Sequence, residues 1–223
     1  MTLMTKGRSW AQVAMEWSPI VRIYESRFWR RNPVFQLINH LSFEQEEQLI
    51  IQAAELKGNE TVLDLACGTG SYSRLFANTL LQGNVIGLDL SRPMLEQALK
   101  KAQTLQIKNV KFIQGSALKL PLPDHSVDVV NCCGALHLFP DTQIALNEIY
   151  RVLKPAGRFT TAVFRHPSGR IGQKIESFAN RKVGVKTFTS TELQDQLKKV
   201  GFSESRVWHN KGGWLILGGK IKM

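Results

Sequence analysis

Two rhythms of apolar and polar positions alternate along this chain. From residue 60 onward, short apolar runs recur at Thr61–Leu65, Asn84–Leu88, Val110–Gln114, Val127–Cys132 and Gly157–Phe164, each of strand length. Between them, Ser73–Leu81, Arg92–Leu105 and Thr142–Leu153 carry apolar residues at the three- and four-residue spacing of an amphipathic helix. Strand and helix alternating at this spacing predict βαβ units, a parallel sheet and helices on both its faces.

Local chemistry marks the boundaries. Ser91 before Arg92-Pro93 reads as an N-cap with proline in the first turn. Ser42-x-x-Gln45 and Thr189-x-x-Glu192 fit capping boxes. Lys154-Pro155-Ala156-Gly157 is expected to end one helix and turn into the next strand. After Thr189, Leu193, Leu197 and Val200 form a helical stripe that stops at Gly201. Glu204–His209 and Trp214–Leu217, separated by a turn with Lys211-Gly212-Gly213, predict a closing antiparallel hairpin.

Two segments stand outside the alternation. Residues 1–57 are helical in pattern and end in an amphipathic helix, Phe43 to Leu56; we assign them to an N-terminal lid. Residues 58–223 form the expected core domain, with a cap insert at about 167–186.

The chain has 223 residues, 43% hydrophobic and 21% charged, which excludes a disordered tail or a disulfide-stapled miniprotein. No apolar stretch reaches the roughly 18 to 20 residues of a membrane span, and the N-terminus shows no secretory signal. Three cysteines, Cys67, Cys132 and Cys133, fit a reducing compartment better than a disulfide framework, so a cytoplasmic location is expected. No Cys-x-x-Cys or His-x-x-x-His spacing points to a metal. Net charge is +11, and residues 167–223 alone carry 11 basic and 4 acidic groups. Such an excess attracts nucleic acid, an anionic membrane or an acidic substrate, or is simply a solvated face.

The strongest chemical signal is Val62-Leu63-Asp64-Leu65-Ala66-Cys67-Gly68-Thr69-Gly70. An apolar strand enters a glycine turn that opens a helix, so free N–H groups and a closely approachable backbone meet at one point. The third glycine of a dinucleotide fingerprint is missing, since Gly68-Thr69-Gly70 is followed by Ser71-Tyr72-Ser73, and no Gly-Lys-Ser/Thr follows. Asp64 would repel a diphosphate, whereas it suits a ligand with an ammonium group and no phosphate. Val85-Ile86-Gly87-Leu88-Asp89 places a second acid at a strand tip, 19 residues after Gly70, where it can accept from both hydroxyls of a ribose.

VLDLACGTG (62–70), GLDLSRPMLEQA (87–98), GSALKLPLPDHSVDVV (115–130), ALHLFPD (135–141), EIYRVLKPAGRF (148–159) and FTSTELQDQLKKVGF (188–202) together resemble the class I S-adenosylmethionine (SAM)-dependent methyltransferases. The group resembled is the broad one that includes the ubiquinone/menaquinone-biosynthesis enzymes. The resemblance runs over about residues 60–205. It implies an α/β, Rossmann-like, doubly wound fold with a mostly parallel seven-stranded sheet. It also implies SAM as cofactor and S-adenosylhomocysteine (SAH) as product. On this resemblance Asp64 would meet the methionine ammonium. Ala66, Gly68, Thr69 and Gly70 would follow the methionine and ribose, and Asp89 would hold the ribose hydroxyls. Leu90 and Met94 would pack on the adenine, and Cys132 would line the methionine side. Ser116 and Ala117 stand where the family usually has an Asp before Ala or Val; Ser116 therefore offers the adenine a neutral acceptor.

Three residues are candidates for catalysis. His137 follows the fourth strand, where a base is worth roughly 10² to 10⁴ in rate, although a framework histidine is common there in the family. His166 follows the fifth strand. Tyr24 belongs to the stripe Trp17, Val21, Tyr24 and Phe28, either a lid over a hydrophobic acceptor or a docking face. The insert pairs Ile171, Ile175 and Phe178 with Arg170, Lys174, Arg181 and Lys182, the pattern of a plain cap helix or of peripheral contact with an anionic membrane. The expected partner is a small-molecule acceptor such as a quinol, phenol or lipid. Nucleic acid is disfavoured because Asn131-Cys132-Cys133-Gly134 is not the Asn/Asp-Pro-Pro-aromatic motif of base-amine methyltransferases. An RNA methyltransferase and a non-catalytic SAM-binding protein are the alternatives.

Overall fold

A computed structural model describes residues 32–167, 169 and 185–222. Tyr24, its stripe and nearly all of the cap insert lie outside these residues. The described chain orders as α1 (Pro33–Asn39), α2 (Phe43–Ala54), β1 (Thr61–Leu65), α3 (Ser71–Thr79), β2 (Asn84–Asp89), α4 (Arg92–Thr104), β3 (Val110–Gln114), β4 (Val127–Cys133), a 3₁₀ turn (Leu136–Leu138), α5 (Thr142–Val152), β5 (Leu153–Phe164), α6 (Ser190–Val200), β6 (Glu204–Lys211) and β7 (Trp214–Lys220).

The seven strands form one sheet in the order β3-β2-β1-β4-β5-β7-β6. The first five run parallel, and β7 is antiparallel to both β5 and β6. This is the predicted doubly wound sheet with its closing hairpin. The order reverses between β1 and β4, where an open α/β sheet leaves a crevice at the carboxyl ends of its strands.

Each predicted cap holds. The Ser42 hydroxyl accepts from the Gln45 N–H while Gln45 accepts from the Ser42 N–H. Ser91, Asp141 and Thr189 cap α4, α5 and α6 through one bond each, the side-chain oxygen accepting from the N–H three residues on; the return bond that a full box at Thr189 and Glu192 would add is not formed. These bonds satisfy N–H groups that helix geometry leaves unpartnered.

One apolar cluster lies under α5 and α6, with Leu63, Leu65, Leu146, Ile149, Leu193 and Leu197 all buried. The other lies under α2 and α3, with Ile50, Ala54, Val62, Phe76 and Ile216. The helix α2 is thus a layer of the core, packed on β5 and β7.

One boundary differs from the sequence reading. Lys154-Pro155-Ala156-Gly157 does not separate α5 from β5; it lies inside β5 as a bulge. Val127 pairs with Leu153, and the next pair is Val129 with Arg158. Ala156 takes φ +61°, and a side chain on Gly157 would meet the Lys154 carbonyl at 2.6 Å. The proline and glycine shape an irregular strand because β4 offers ladder partners on both sides of them.

Candidate active site

The turn after β1 is wound through positive φ at every second residue: Ala66 (+55°), Gly68 (+55°) and Gly70 (+77°). Ala66 pays for this with strain, since a side chain disfavours that region. The Cys67 N–H continues the ladder to the Leu88 carbonyl, and the Gly70 N–H closes on the Cys67 carbonyl. Gly70 is packed from outside as well. A Cβ there would lie 3.1 Å from both the Ala98 methyl and the Phe112 ring. Helix α4 and strand β3 thereby press the glycine turn into place.

Asp89 ends β2 and is half-buried. Its Oδ2 accepts from the Gly68 N–H at 2.8 Å and its Oδ1 from the Ser91 N–H at 2.8 Å. Burial raises its pKa, while the N–H groups of Ser91, Gly68 and Leu90 oppose that rise. A carboxylate offers about four acceptor directions, so two backbone donors leave capacity for hydroxyls.

Asp64 lies deeper, 2% exposed. Ser73 donates its hydroxyl to Oδ2 at 2.5 Å, and Asn131 donates its amide N–H to Oδ1 at 2.8 Å. Burial pushes its pKa up to about 6; the bonds from Ser73 and Asn131 hold it from rising further, and Asp89 adds to the rise. Two carboxylates thus flank one glycine turn. Such a crevice favours a cation and disfavours a phosphate chain.

The remaining predicted residues divide in two. Ala66, Gly68, Asp89, Leu90, Ser116 and Ala117 all retain partial exposure at the carboxyl ends of β1, β2 and β3, so the fold gathers them on one rim. Thr69 and Met94 are buried beneath it. The Ser116 hydroxyl oxygen already accepts from the Leu118 N–H at 3.2 Å. Cys132 is fully buried in the apolar cluster with Leu63, Leu65 and Leu136, so its thiol faces the core rather than the rim. Burial first, then Asp64, drives that thiol's pKa upward; burial and both aspartates do the same to Cys67. Neither sulfur is an activated nucleophile.

The candidate bases sit differently. His137 is 3% exposed, with its ring 4.3 Å from the Phe164 ring centroid and 6.3 Å from that of Trp214. Its carbonyl accepts from the Lys186 N–H. These are the surroundings of a packing residue. His166 stands half-buried beyond β5, its Nδ1 3.2 Å from the Thr187 hydroxyl. His40, His125 and His209 lie elsewhere, and His209 Nε2 meets the Asn39 carbonyl at 3.0 Å.

Several residues that support the site escaped the sequence reading. Arg151 donates to the Leu120 and Leu122 carbonyls and pairs with Glu148 and Asp124; Glu148 in turn accepts from the Leu120 N–H. This clamp fixes the loop that carries Ser116 and Ala117. Ser73 and Asn131 were also missed. Asn131 left one signal, a polar residue in the otherwise apolar run Val129-Val130-Asn131-Cys132. At the opposite, amino ends of the strands, a cleft of about 890 Å³ is floored by Arg158 and Glu60. Arg158 donates there to the Glu55 carbonyl and to Glu60, which ties α2 to the sheet far from the glycine turn.

Comparison with known proteins agrees with this geometry. The chain belongs to the methyltransferase domain family, whose profile matches residues 56–212. It is similar to a demethylmenaquinone methyltransferase of Oceanobacillus iheyensis, 34% identical over 134 residues, which is 60% of this chain and 55% of that one. It is also similar to the uncharacterized methyltransferase YcgJ of Bacillus subtilis, 35% identical over 60% of this chain and 52% of that one. The chain therefore matches about half the length of these relatives. Among solved structures, a SAM-dependent methyltransferase from Aquifex aeolicus shares the fold at TM-score 0.70 and 20% identity, covering 92% of this chain and 98% of that one. The YcgJ crystal structure does so at TM-score 0.68 and 22% identity, over 81% and 99% of the two chains.

Proposed function

We propose that this protein is a SAM-dependent methyltransferase acting on a small hydrophobic or aromatic acceptor. The observation that carries the reading is the pair of carboxylates, Asp64 and Asp89, on either side of a glycine turn that lacks a phosphate cradle. In this reading Asp64 receives the methionine ammonium and Asp89 the ribose hydroxyls. Leu90 and Met94 floor the adenine, and Ser116 bonds its edge. Ala66, Gly68, Thr69 and Gly70 give the backbone wall. When bound, SAM supplies a methyl group on a cationic sulfur.

The chain's own residues then have three tasks: to bind, to orient and to keep water out. Transfer would use an electron pair of the acceptor, on a heteroatom or on an electron-rich ring carbon, to bond the methyl carbon while the carbon–sulfur pair returns to sulfur; the acceptor's proton would leave to solvent. Orientation of two reactants alone is worth about 7–11 kcal/mol in favourable cases, so this assignment needs no general base. His137 is read as framework, and His166 and Tyr24 are left for kinetic tests.

A hydrophobic acceptor is supported from two sides. The relatives named demethylmenaquinone methyltransferases, such as that of Oceanobacillus iheyensis, carry in their name a quinone-type acceptor. In this chain, α1 leaves Val34, Leu37 and Ile38 at 61%, 75% and 59% exposure. The end of α1 sits on the Lys211–Trp214 turn: a Cβ on Gly212 would strike the Ile38 carbonyl. That turn meets the carboxyl end of β5 through the Phe164–Trp214 pair, the same end of the sheet as the glycine turn.

Calorimetry separates a SAM site from a dinucleotide site, and turnover separates an enzyme from a protein that only binds SAM. SAM and SAH should bind at micromolar concentration, and NAD should not. Binding of NAD with indifference to SAH would remove the proposal. Turnover of a demethylated naphthoquinol, read by mass, would then fix the acceptor class.

A further inference from the structure

We infer that Asn131 is a positioning residue that holds the Asp64 carboxylate ready for a cationic ligand. The inference rests on the cofactor reading above and goes beyond it by assigning a role to a residue that the ligand does not touch.

Asn131 is fully buried at the middle of β4, in register with Asp64 on the neighbouring strand. A buried amide is costly unless both its ends are bonded. Here both are. Its nitrogen donates to Asp64 Oδ1 at 2.8 Å, and its oxygen accepts from the Thr160 hydroxyl at 2.9 Å and the Cys133 thiol at 3.0 Å. The amide is oriented by the carboxylate: turned over, its oxygen would face the Asp64 oxygen, an acceptor against an acceptor.

Every donor in this buried chain points the same way. Thr160 on β5 donates to Asn131 on β4, Asn131 donates to Asp64 on β1, and Ser73 on α3 donates to Asp64 from the other side. Bonds aligned head to tail polarise one another, and this chain ends on the carboxylate. A network with that direction stabilises negative charge at its end. It therefore opposes the burial that would otherwise keep Asp64 protonated.

The charged or titratable groups acting on Asp64 are Asp89 beyond β2, Cys67 in the glycine turn, Arg74 on α3 and Cys132 on β4. Of these only Arg74 is cationic, and its guanidinium is bonded to the Thr69 carbonyl. The neutral donors Asn131 and Ser73 are the groups hydrogen-bonded to the carboxylate.

The test compares wild type with Asn131→Leu and Thr160→Val. SAH affinity is measured by calorimetry between pH 5.5 and 8.5 and expressed as a ratio to wild type at each pH. With its Asp64 midpoint one pK unit above the wild-type value of about 6, Asn131→Leu should bind roughly eightfold more weakly at pH 5.5 and roughly twofold at pH 7, and reach the wild-type value by pH 8.5 as Asp64 ionises. Thr160→Val, which leaves the Asn131–Asp64 bond in place, should show a smaller loss with the same recovery; it decides the matter if Asn131→Leu does not fold. A merely structural role would give a ratio that is flat with pH, which would overturn the inference. Carbon NMR of the Asp64 carboxyl in the ligand-free protein reads the same point directly: its titration midpoint should rise in both variants. Wild type that binds SAH with flat variant ratios overturns this inference alone; wild type that binds no SAH overturns the cofactor reading, and this inference with it.

Discussion

Gly68 donates its backbone N–H to Asp89 Oδ2 across 21 residues of sequence. One carboxylate therefore both shapes the turn after β1 and stands at the tip of β2. In the proposed complex the same group accepts from the ribose.

Asp89→Ala should accordingly weaken SAH binding by about 1.5–3 kcal/mol, the worth of a hydrogen bond to a charged group, which is roughly 10- to 150-fold. Isothermal calorimetry reads this directly. Unchanged affinity would remove Asp89 from the ligand site.

Asp64 predicts a pH dependence with a definite sign. Its pKa is raised from 3.8 to about 6 in the folded protein, so folding favours the protonated form. The stabilising contribution is complete below pH 3.8 and disappears as pH rises through 6. About two pK units correspond to roughly 3 kcal/mol. Without ligand, Asp64→Asn should gain stability relative to wild type between pH 4 and pH 8. Denaturant titrations at both pH values check this; a constant difference would contradict the burial argument. Affinity for SAH should fall in the same variant, a site that is costly to the fold and needed by the ligand.

Gly70→Ala should destabilise the protein by about 1–2 kcal/mol from the left-handed backbone alone. Contact with Ala98 and Phe112 at 3.1 Å adds to this. Because the strained turn is also the proposed ligand wall, SAH-induced stabilisation in a thermal melt should shrink as well. A melt identical to wild type would show that the turn relaxes without cost.

Arg158 offers the opposite case. It is paired with buried Glu60 at the amino ends of the strands, so Arg158→Met strands a buried charge and should cost about 3–5 kcal/mol. SAH affinity in the folded fraction should stay within about twofold of wild type, on the scale where tenfold is 1.4 kcal/mol. A large loss of affinity would show that the two ends of the sheet are coupled.

Much of this molecule was legible along the chain. Helix caps such as Ser42, Ser91 and Thr189 act within three residues of themselves, and the apolar rhythm of each strand needs only its own neighbours. The Gly68-Thr69-Gly70 turn and the acids Asp64 and Asp89 could be read for the same reason: turn chemistry and charge are local properties. The bulge at Lys154–Gly157 was not legible, because it depends on β4 lying alongside.

Pairing across distance was decided by the fold. Asn131 meets Asp64 across 67 residues, and no local rule distinguishes it from a misplaced polar residue in a strand. The Glu148–Arg151 pair looks like an ordinary helix surface pair until the loop at Leu120–Asp124 folds against it. Burial moved Cys132 from the rim to the core, and set His137 against Phe164 and Trp214. Sequence by itself thus determined which chemical groups the site would possess, since composition and short-range order travel with the chain. Tertiary structure decided which of them are charged, which are oriented and which are packed away, because those properties depend on neighbours that only the sheet brings together.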